Sequence, residues 1–181
     1  MGKEISKISQ RICMKSSQYK VLVLGLEGSG KTTLCDRLKY NEIYVRYPTI
    51  GFIVDNVNIN QLQVTIWDFG GHSKIMKLWH NYCEYTDLVI VVIDSTNIEQ
   101  NDDIKCMFNI LQEKLPGIYV IILLNKIDLK DSWDIKEFMD VMELDKFNLK
   151  IAKIIRTALV NGGEMKEIRE SIVNVLKSIP G

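Results

Sequence analysis

The sequence predicts a three-layer α/β domain with a six-stranded, mostly parallel sheet. Three observations carry that expectation. A glycine-rich turn, Gly25-Leu26-Glu27-Gly28-Ser29-Gly30-Lys31-Thr32, joins an apolar run to a helix-like run. Continuous apolar stretches then alternate with segments of helical period, as parallel strands covered on both faces require. Between the first and second such units lie two runs, Phe52–Ile59 and Leu62–Trp67, separated only by Asn60-Gln61, which read as a hairpin.

Each element follows in order. Residues 19–24 form the first strand and 30–39 a helix opening on the glycine turn. The hairpin comes next, then a helix over 73–83. Strands are expected at Leu88–Ile93, Ile118–Leu124 and Ile151–Ile155, and helices at 98–114, 133–143 and 164–178. In the last helix Met165, Ile168, Ile172, Val175, Leu176 and Ile179 recur at helical spacing and read as core. A ligand of such a sheet binds at the C-terminal ends of its strands.

The glycine turn fits G-x-x-x-x-G-K-[ST], in the strand-to-helix setting that pattern needs. Backbone N–H groups of residues 27–33 would cradle phosphates: Glu27, Gly28, Ser29, Gly30, Lys31, Thr32 and Thr33. Lys31 would reach the β- and γ-phosphates, and the Thr32 hydroxyl would bind Mg²⁺. Asn125-Lys126-Ile127-Asp128 follows a later strand and suits guanine. The Asp128 carboxylate can accept from both N1–H and the exocyclic amine of guanine, a pair adenine lacks. The Lys126 stem can lie along the base, and Asn125 can bond the base edge and tie its loop to the phosphate loop.

Two further pieces lie between these motifs. Thr49, in Tyr47-Pro48-Thr49-Ile50-Gly51-Phe52, can add a hydroxyl to Mg²⁺ while a γ-phosphate is present. Asp68, in Trp67-Asp68-Phe69-Gly70-Gly71-His72, would hold the same metal through water, and the Gly71 N–H can meet the γ-phosphate. Losing that phosphate would release both loops.

These motifs, with their order and spacing, resemble the Arf/Arl branch of the Ras-like P-loop GTPases over residues 17–180. The resemblance implies an N-terminal helix over 1–18 followed by a GTPase domain over 19–181. It implies GTP/GDP and Mg²⁺ as ligands, with exchange factors, activating proteins, effectors and a membrane surface as partners. It implies a final base loop at Thr157-Ala158-Leu159, whose Ala158 N–H meets the base oxygen; Thr157 departs from the usual Ser. Phe52, Trp67 and Tyr82 match the family's aromatic effector patch. The hairpin Phe52 to Asp68 matches the one that slides with nucleotide state; Asn56, Asn58, Asn60 and Gln61 make its turn end polar. His72 stands where most members carry Gln, although Sar-type relatives share the His. With Lys31 it is the expected catalytic group, positioning water for slow hydrolysis aided by an activating protein. A GTP-binding scaffold that does not turn over is the rival, and an ATP-dependent small-molecule kinase a third. Arg46, three residues before Thr49, is weighed as an arginine finger in cis against a solvated side chain.

The N-terminus reads separately. Met1-Gly2-Lys3-Glu4-Ile5-Ser6 fits M-G-x-x-x-[ST], so Gly2 is a candidate for myristoylation. Ile5, Ile8 and Ile12 fall on one helical face, and residues 1–20 hold five Lys or Arg against one Glu. A basic amphipathic helix beside one acyl chain supplies the second contribution that stable membrane attachment needs. Cys13 reads as a plain helix residue, with palmitoylation the alternative. The chain ends Ile179-Pro180-Gly181 without a C-a-a-X box, so prenylation is not expected.

Composition agrees with one soluble domain. The 181 residues are 46% apolar and 25% charged, with zero formal net charge. That balance gives no pointer to nucleic acid. Four cysteines without C-x-x-C spacing suit a reduced, cytoplasmic compartment, with reversible attachment to Golgi or other endomembranes in vesicle or membrane trafficking. No apolar run approaches the ~18 residues of a membrane span.

Overall fold

The computed structural model describes residues 19–45, 47–71 and 79–179. The expected N-terminal helix, Gly2, Cys13, Arg46 and His72 lie outside the described residues.

The described residues begin with β1 (Tyr19–Leu24) and α1 (Lys31–Tyr40), then β2 (Phe52–Ile59) and β3 (Leu62–Phe69). After a 3₁₀ turn at Trp79–Tyr82 come β4 (Leu88–Asp94), α2 (Asn101–Lys114), β5 (Tyr119–Asn125), α3 (Ile135–Met142), β6 (Lys150–Thr157) and α4 (Met165–Ser178). The sheet order is β2-β3-β1-β4-β5-β6, and only β2 and β3 pair antiparallel. The expected fold class is observed.

Strand alternation divides the core into two layers. Val21 and Val23 of β1, with Leu88, Ile90 and Val92 of β4, face α1 and α4, where Leu34, Leu38, Ile168, Ile172 and Leu176 meet them. Leu22 and Leu24, with Val89, Val91 and Ile93, face α2 and α3 through Ile104, Met107, Phe108 and Phe138. Side chains two residues apart share a face of a strand, so the stretches Val21–Leu24 and Leu88–Ile93, covered on both faces, are apolar at every position. β6 departs from that. It is an edge strand whose Lys150, Ala152, Lys153 and Arg156 are exposed, and charges on an edge discourage pairing with another chain.

Local chemistry sets the element ends. The hairpin turns at Asn60 and Gln61, with φ of 48° and 73°, and the Gln61 N–H donates to Asn58 Oδ1 at 2.9 Å. Two left-handed residues match the twist of the paired strands. Asn41 closes α1 at φ 59°, donating its N–H to Arg37 O. Asp134 caps α3 by accepting from Glu137 N at 2.8 Å, which stabilises the helix by about 1 kcal/mol. The helix expected over 98–114 starts instead as a 3₁₀ turn at Ile98–Gln100. Of the helix expected over 73–83, the described part is the 3₁₀ turn at Trp79–Tyr82.

Lys20 holds that turn against β1. Its side chain is buried under the Trp67 ring, 4.8 Å from the centroid. Nζ donates to Tyr82 O at 2.5 Å and Glu84 O at 2.9 Å, while the Lys20 N–H donates to Asp87 Oδ2 at 2.7 Å. Burial pushes its pKa down to about 8, against the pull of Cys83, Glu84 and Asp87. The unfolded chain therefore binds a proton on Lys20 between pH 8 and the ordinary lysine value, where the folded chain does not. Its contribution to stability rises with pH across that window. In urea unfolding, the midpoint of the wild type relative to Lys20→Met is expected to move upward from pH 7.5 to pH 9.5. A constant difference would contradict the buried charge.

Candidate functional site

The connections leaving β1 and β4 run to helices on opposite faces, which opens a crevice at the strand ends. A cleft of ≈ 360 Å³ lies there, lined by Glu27, Gly28, Gly30, Lys31, Thr32 and Thr33 of the glycine turn and by Thr49 and Gly71 of the two following loops. All eight were named from sequence. Ser29 is buried behind the turn, its hydroxyl without a partner among the described residues.

The turn depends on Gly30, which has φ 104° and lies so close to Asn125 that a Cβ would collide with the amide nitrogen. Gly71 packs its backbone on Leu26 and Glu27 just as closely. Lys31 is buried and donates from Nζ to Leu26 O at 2.6 Å. Burial lowers its pKa to about 8, against Asp68, Cys35 and Glu27. A phosphate group beside it would stabilise the charged form and raise that pKa.

Three oxygens from three segments converge next to Lys31. Thr32 Oγ1 donates to Asp68 Oδ2 at 2.7 Å and lies 3.0 Å from Thr49 Oγ1. Asp68 is buried at the end of β3, and its Oδ1 has no hydrogen-bond partner among the described residues. Burial raises its carboxyl above the ordinary value, against the Thr32 hydroxyl and Lys31. Two hydroxyls and a carboxylate with an unpaired oxygen are a hard donor set, which fits Mg²⁺. The residues thus suit the expected metal.

The second half of the site is built on Asn125, at the end of β5. Its Nδ2 donates to Ser29 O at 2.8 Å, and its Oδ1 accepts from Leu159 N at 3.1 Å. Ile127 N reaches Thr157 O at 3.4 Å. The two loops expected to meet a base are therefore side by side and tied to the phosphate loop. Asp128 is exposed and carries no ion pair among the described residues. Lys126, at φ 69°, pairs through Nζ with Asp94 Oδ2 at 2.6 Å. Burial alone would raise the Asp94 carboxyl, but Lys126 and Thr96 hold it below its ordinary value.

Sequence reasoning missed four features. Asp94 fixes Lys126, and no local motif marks it. Asp36 and Tyr44 line the cleft, and only their proximity to the motifs in sequence could have suggested them. Glu164 Oε2 accepts from Thr157 Oγ1 and Ala158 N, each at 3.1 Å.

The aromatic trio divides between core and surface. Phe52, Trp67 and Tyr82 do meet, with centroids 5.3 Å (Phe52–Trp67), 4.8 Å (Phe52–Tyr82) and 5.6 Å (Trp67–Tyr82) apart. Their exposure differs. Trp67 is only 3% exposed, because β3 turns it into the layer with Leu22 and Val89, while Phe52 is 39% exposed and Tyr82 half-buried.

The profile of the ADP-ribosylation factor family matches residues 5–176. The chain belongs to that family. Membership makes it a GTP-binding GTPase of the Arf/Arl type. It is 34% identical to ADP-ribosylation factor 1 of Brassica rapa subsp. pekinensis, over 92% of each chain. It is 30% identical to ADP-ribosylation factor-like protein 1 of Drosophila melanogaster, over 90% of this chain and 92% of that one. The fold superposes with a TM-score of 0.76 on the Arl6 BBS3 small GTPase of Trypanosoma brucei, solved with the nucleotide analogue GppNp. That match covers 89% of this chain and 99% of the other at 22% identity.

Removing the Asn125 amide strands a buried carbonyl and a buried N–H. Asn125→Ala is expected to lower unfolding stability by about 2 kcal/mol and to weaken nucleotide binding, read by thermal melts with and without GDP. Unchanged stability would mean the loops hold together without it.

Proposed function

We propose that this Arf/Arl-type protein is a membrane-recruited switch that binds GDP or GTP with Mg²⁺, recruits effectors in its GTP state and hydrolyses GTP slowly. The convergence of Thr32, Thr49 and Asp68 beside Lys31 carries the reading. It brings the loop of Thr49 to the same point as the end of β3, so both loops can answer to a γ-phosphate. Lys31 and the Gly71 N–H would hold that phosphate, and Asn125, Lys126, Asp128, Thr157 and Ala158 the base. Mg²⁺ on Thr32, Thr49 and, through water, Asp68 would offset charge on the phosphates.

His72 is the proposed residue for positioning the attacking water. A neutral imidazole has one donor and one acceptor on a rigid ring, so it orients water less adaptably than the Gln amide, which favours slow turnover stimulated by an activating protein. The half-exposed Phe52 and Tyr82, on a buried Trp67 base, would form the effector patch. Myristoylation of Gly2 and the basic N-terminal segment would supply membrane attachment, and release of that segment by sliding of the β2–β3 hairpin would couple it to nucleotide. Cytoplasmic residence with reversible attachment to endomembranes, and work with an exchange factor in trafficking, follow from the same reading. The His72 substitution also favours a second reading, a GTP-binding scaffold without turnover.

Two measurements test this. Asp128→Asn replaces an acceptor pair by a donor and an acceptor, so it should exchange guanine for xanthine, whose 2-oxo group accepts from the amide. Affinity for GDP should fall at least about a hundredfold while xanthosine diphosphate gains; an unchanged preference would remove Asp128 from the base site. In single-turnover GTP hydrolysis, His72→Ala should slow the reaction about tenfold or more. A rate that neither this change nor an activating protein alters would favour the scaffold.

A further inference from the structure

Glu164 occupies an odd position for an acid at a helix start. It precedes α4 at φ −93° and ψ 4°, and its side chain makes no cap hydrogen bond to that helix. It turns back across the β6–α4 loop instead. One oxygen, Oε2, accepts from both the Thr157 hydroxyl and the Ala158 N–H at 3.1 Å. The carboxylate is half-buried, and no described Lys or Arg pairs with it. Only two neutral donors and the positive end of α4 hold it there.

The donor it takes is the one next to the proposed base site. Ala158 lies between two ties to the 125–128 loop, the Ile127 N to Thr157 O bond and the Leu159 N to Asn125 Oδ1 bond. Guanine carries a carbonyl beside the N–H edge that Asp128 would accept. A base whose donor edge meets Asp128 therefore brings an acceptor to the adjoining loop. Ala158 is itself 5% exposed, so its N–H needs a protein or ligand acceptor rather than bulk water.

We propose that Glu164 competes with the guanine carbonyl for the Ala158 N–H and thereby speeds nucleotide release. This rests on the guanine reading above. Two acceptors cannot share one N–H at full strength, and a carboxylate oxygen repels a carbonyl oxygen placed beside it. While the base holds the donor, Glu164 turns its head to water, which its half-exposed position allows. As the base carbonyl withdraws, Oε2 takes the N–H back. The buried donor is never stranded, so the cost that would otherwise oppose base departure falls. The opposite role, a brace that keeps the 157–159 loop in shape for the base, predicts the opposite sign on mutation.

The test uses the full chain with Mg²⁺, loaded with GDP or with 6-thioguanosine diphosphate, each labelled on the ribose. Release into excess unlabelled GDP is followed for wild type, Glu164→Ala and Glu164→Gln, with thermal melts to verify folding. Glu164→Ala is expected to slow GDP release about tenfold, the scale of one hydrogen bond. The effect should be clearly smaller with the thione, a weaker acceptor. Glu164→Gln keeps the shape, can donate to the carbonyl from its amide, and should also slow release. Equal or faster release from both variants, or the same change with both nucleotides, would overturn the competition. If no form of the protein retains guanine nucleotide, the functional reading fails and this inference with it. Tight guanine binding indifferent to Glu164 defeats the inference alone.

Discussion

The side-chain amide of Asn125 bonds two otherwise separate loops at once, and the candidate site depends on it. One end of the amide holds the Ser29 carbonyl, and the other holds the Leu159 N–H. The phosphate loop follows β1, the 157–159 loop follows β6, and Asn125 itself ends β5 between them. β1 and β5 are fixed by burial on both faces and β6 by its pairing with β5, so the amide converts sheet register into the spacing between phosphate and base sites. Gly30 must be glycine for the same reason, since the amide sits where a Cβ would project.

The electrostatics of the cleft are unbalanced in a consistent direction. Burial discourages charge on both Lys31 and Asp68. A triphosphate would stabilise the first as a cation and a divalent metal the second as an anion. The polypeptide thus bears part of the desolvation cost during folding, and ligands recover it on binding. The Lys126–Asp94 pair, outside the cleft lining, is already satisfied and needs no ligand to hold its geometry.

The sequence made the sheet legible because Val21–Leu24, Leu88–Ile93 and Val120–Leu124 are unbroken apolar runs, in strands with a neighbour on each side. The phosphate loop was legible because its geometry leaves few residue choices. The edge strand β6 was harder, since half its side chains face water and its ends blur into charged residues. Which of the aromatic trio stays at the surface was not legible, because strand parity fixes which face a residue takes, but not which face a neighbouring turn will cover; Lys20 and the 79–82 turn close over Trp67. Glu164 was invisible for a different reason. It acts across a loop, six residues from Ala158, by a contact that no helical or strand period encodes. His72 and the N-terminal segment remain readings of the sequence, outside the described residues.

The switch proposed above requires the loop of Thr49 to sense the γ-phosphate through a shared metal site with Thr32 and Asp68. The direct measurement is nucleotide release from Thr49→Val compared with wild type, for GDP and for a non-hydrolysable GTP analogue, across a Mg²⁺ titration. With such a site, the substitution speeds release of the triphosphate analogue about tenfold and raises the Mg²⁺ it needs, while GDP release barely changes. Equal effects on both nucleotides, or none on either, would contradict it.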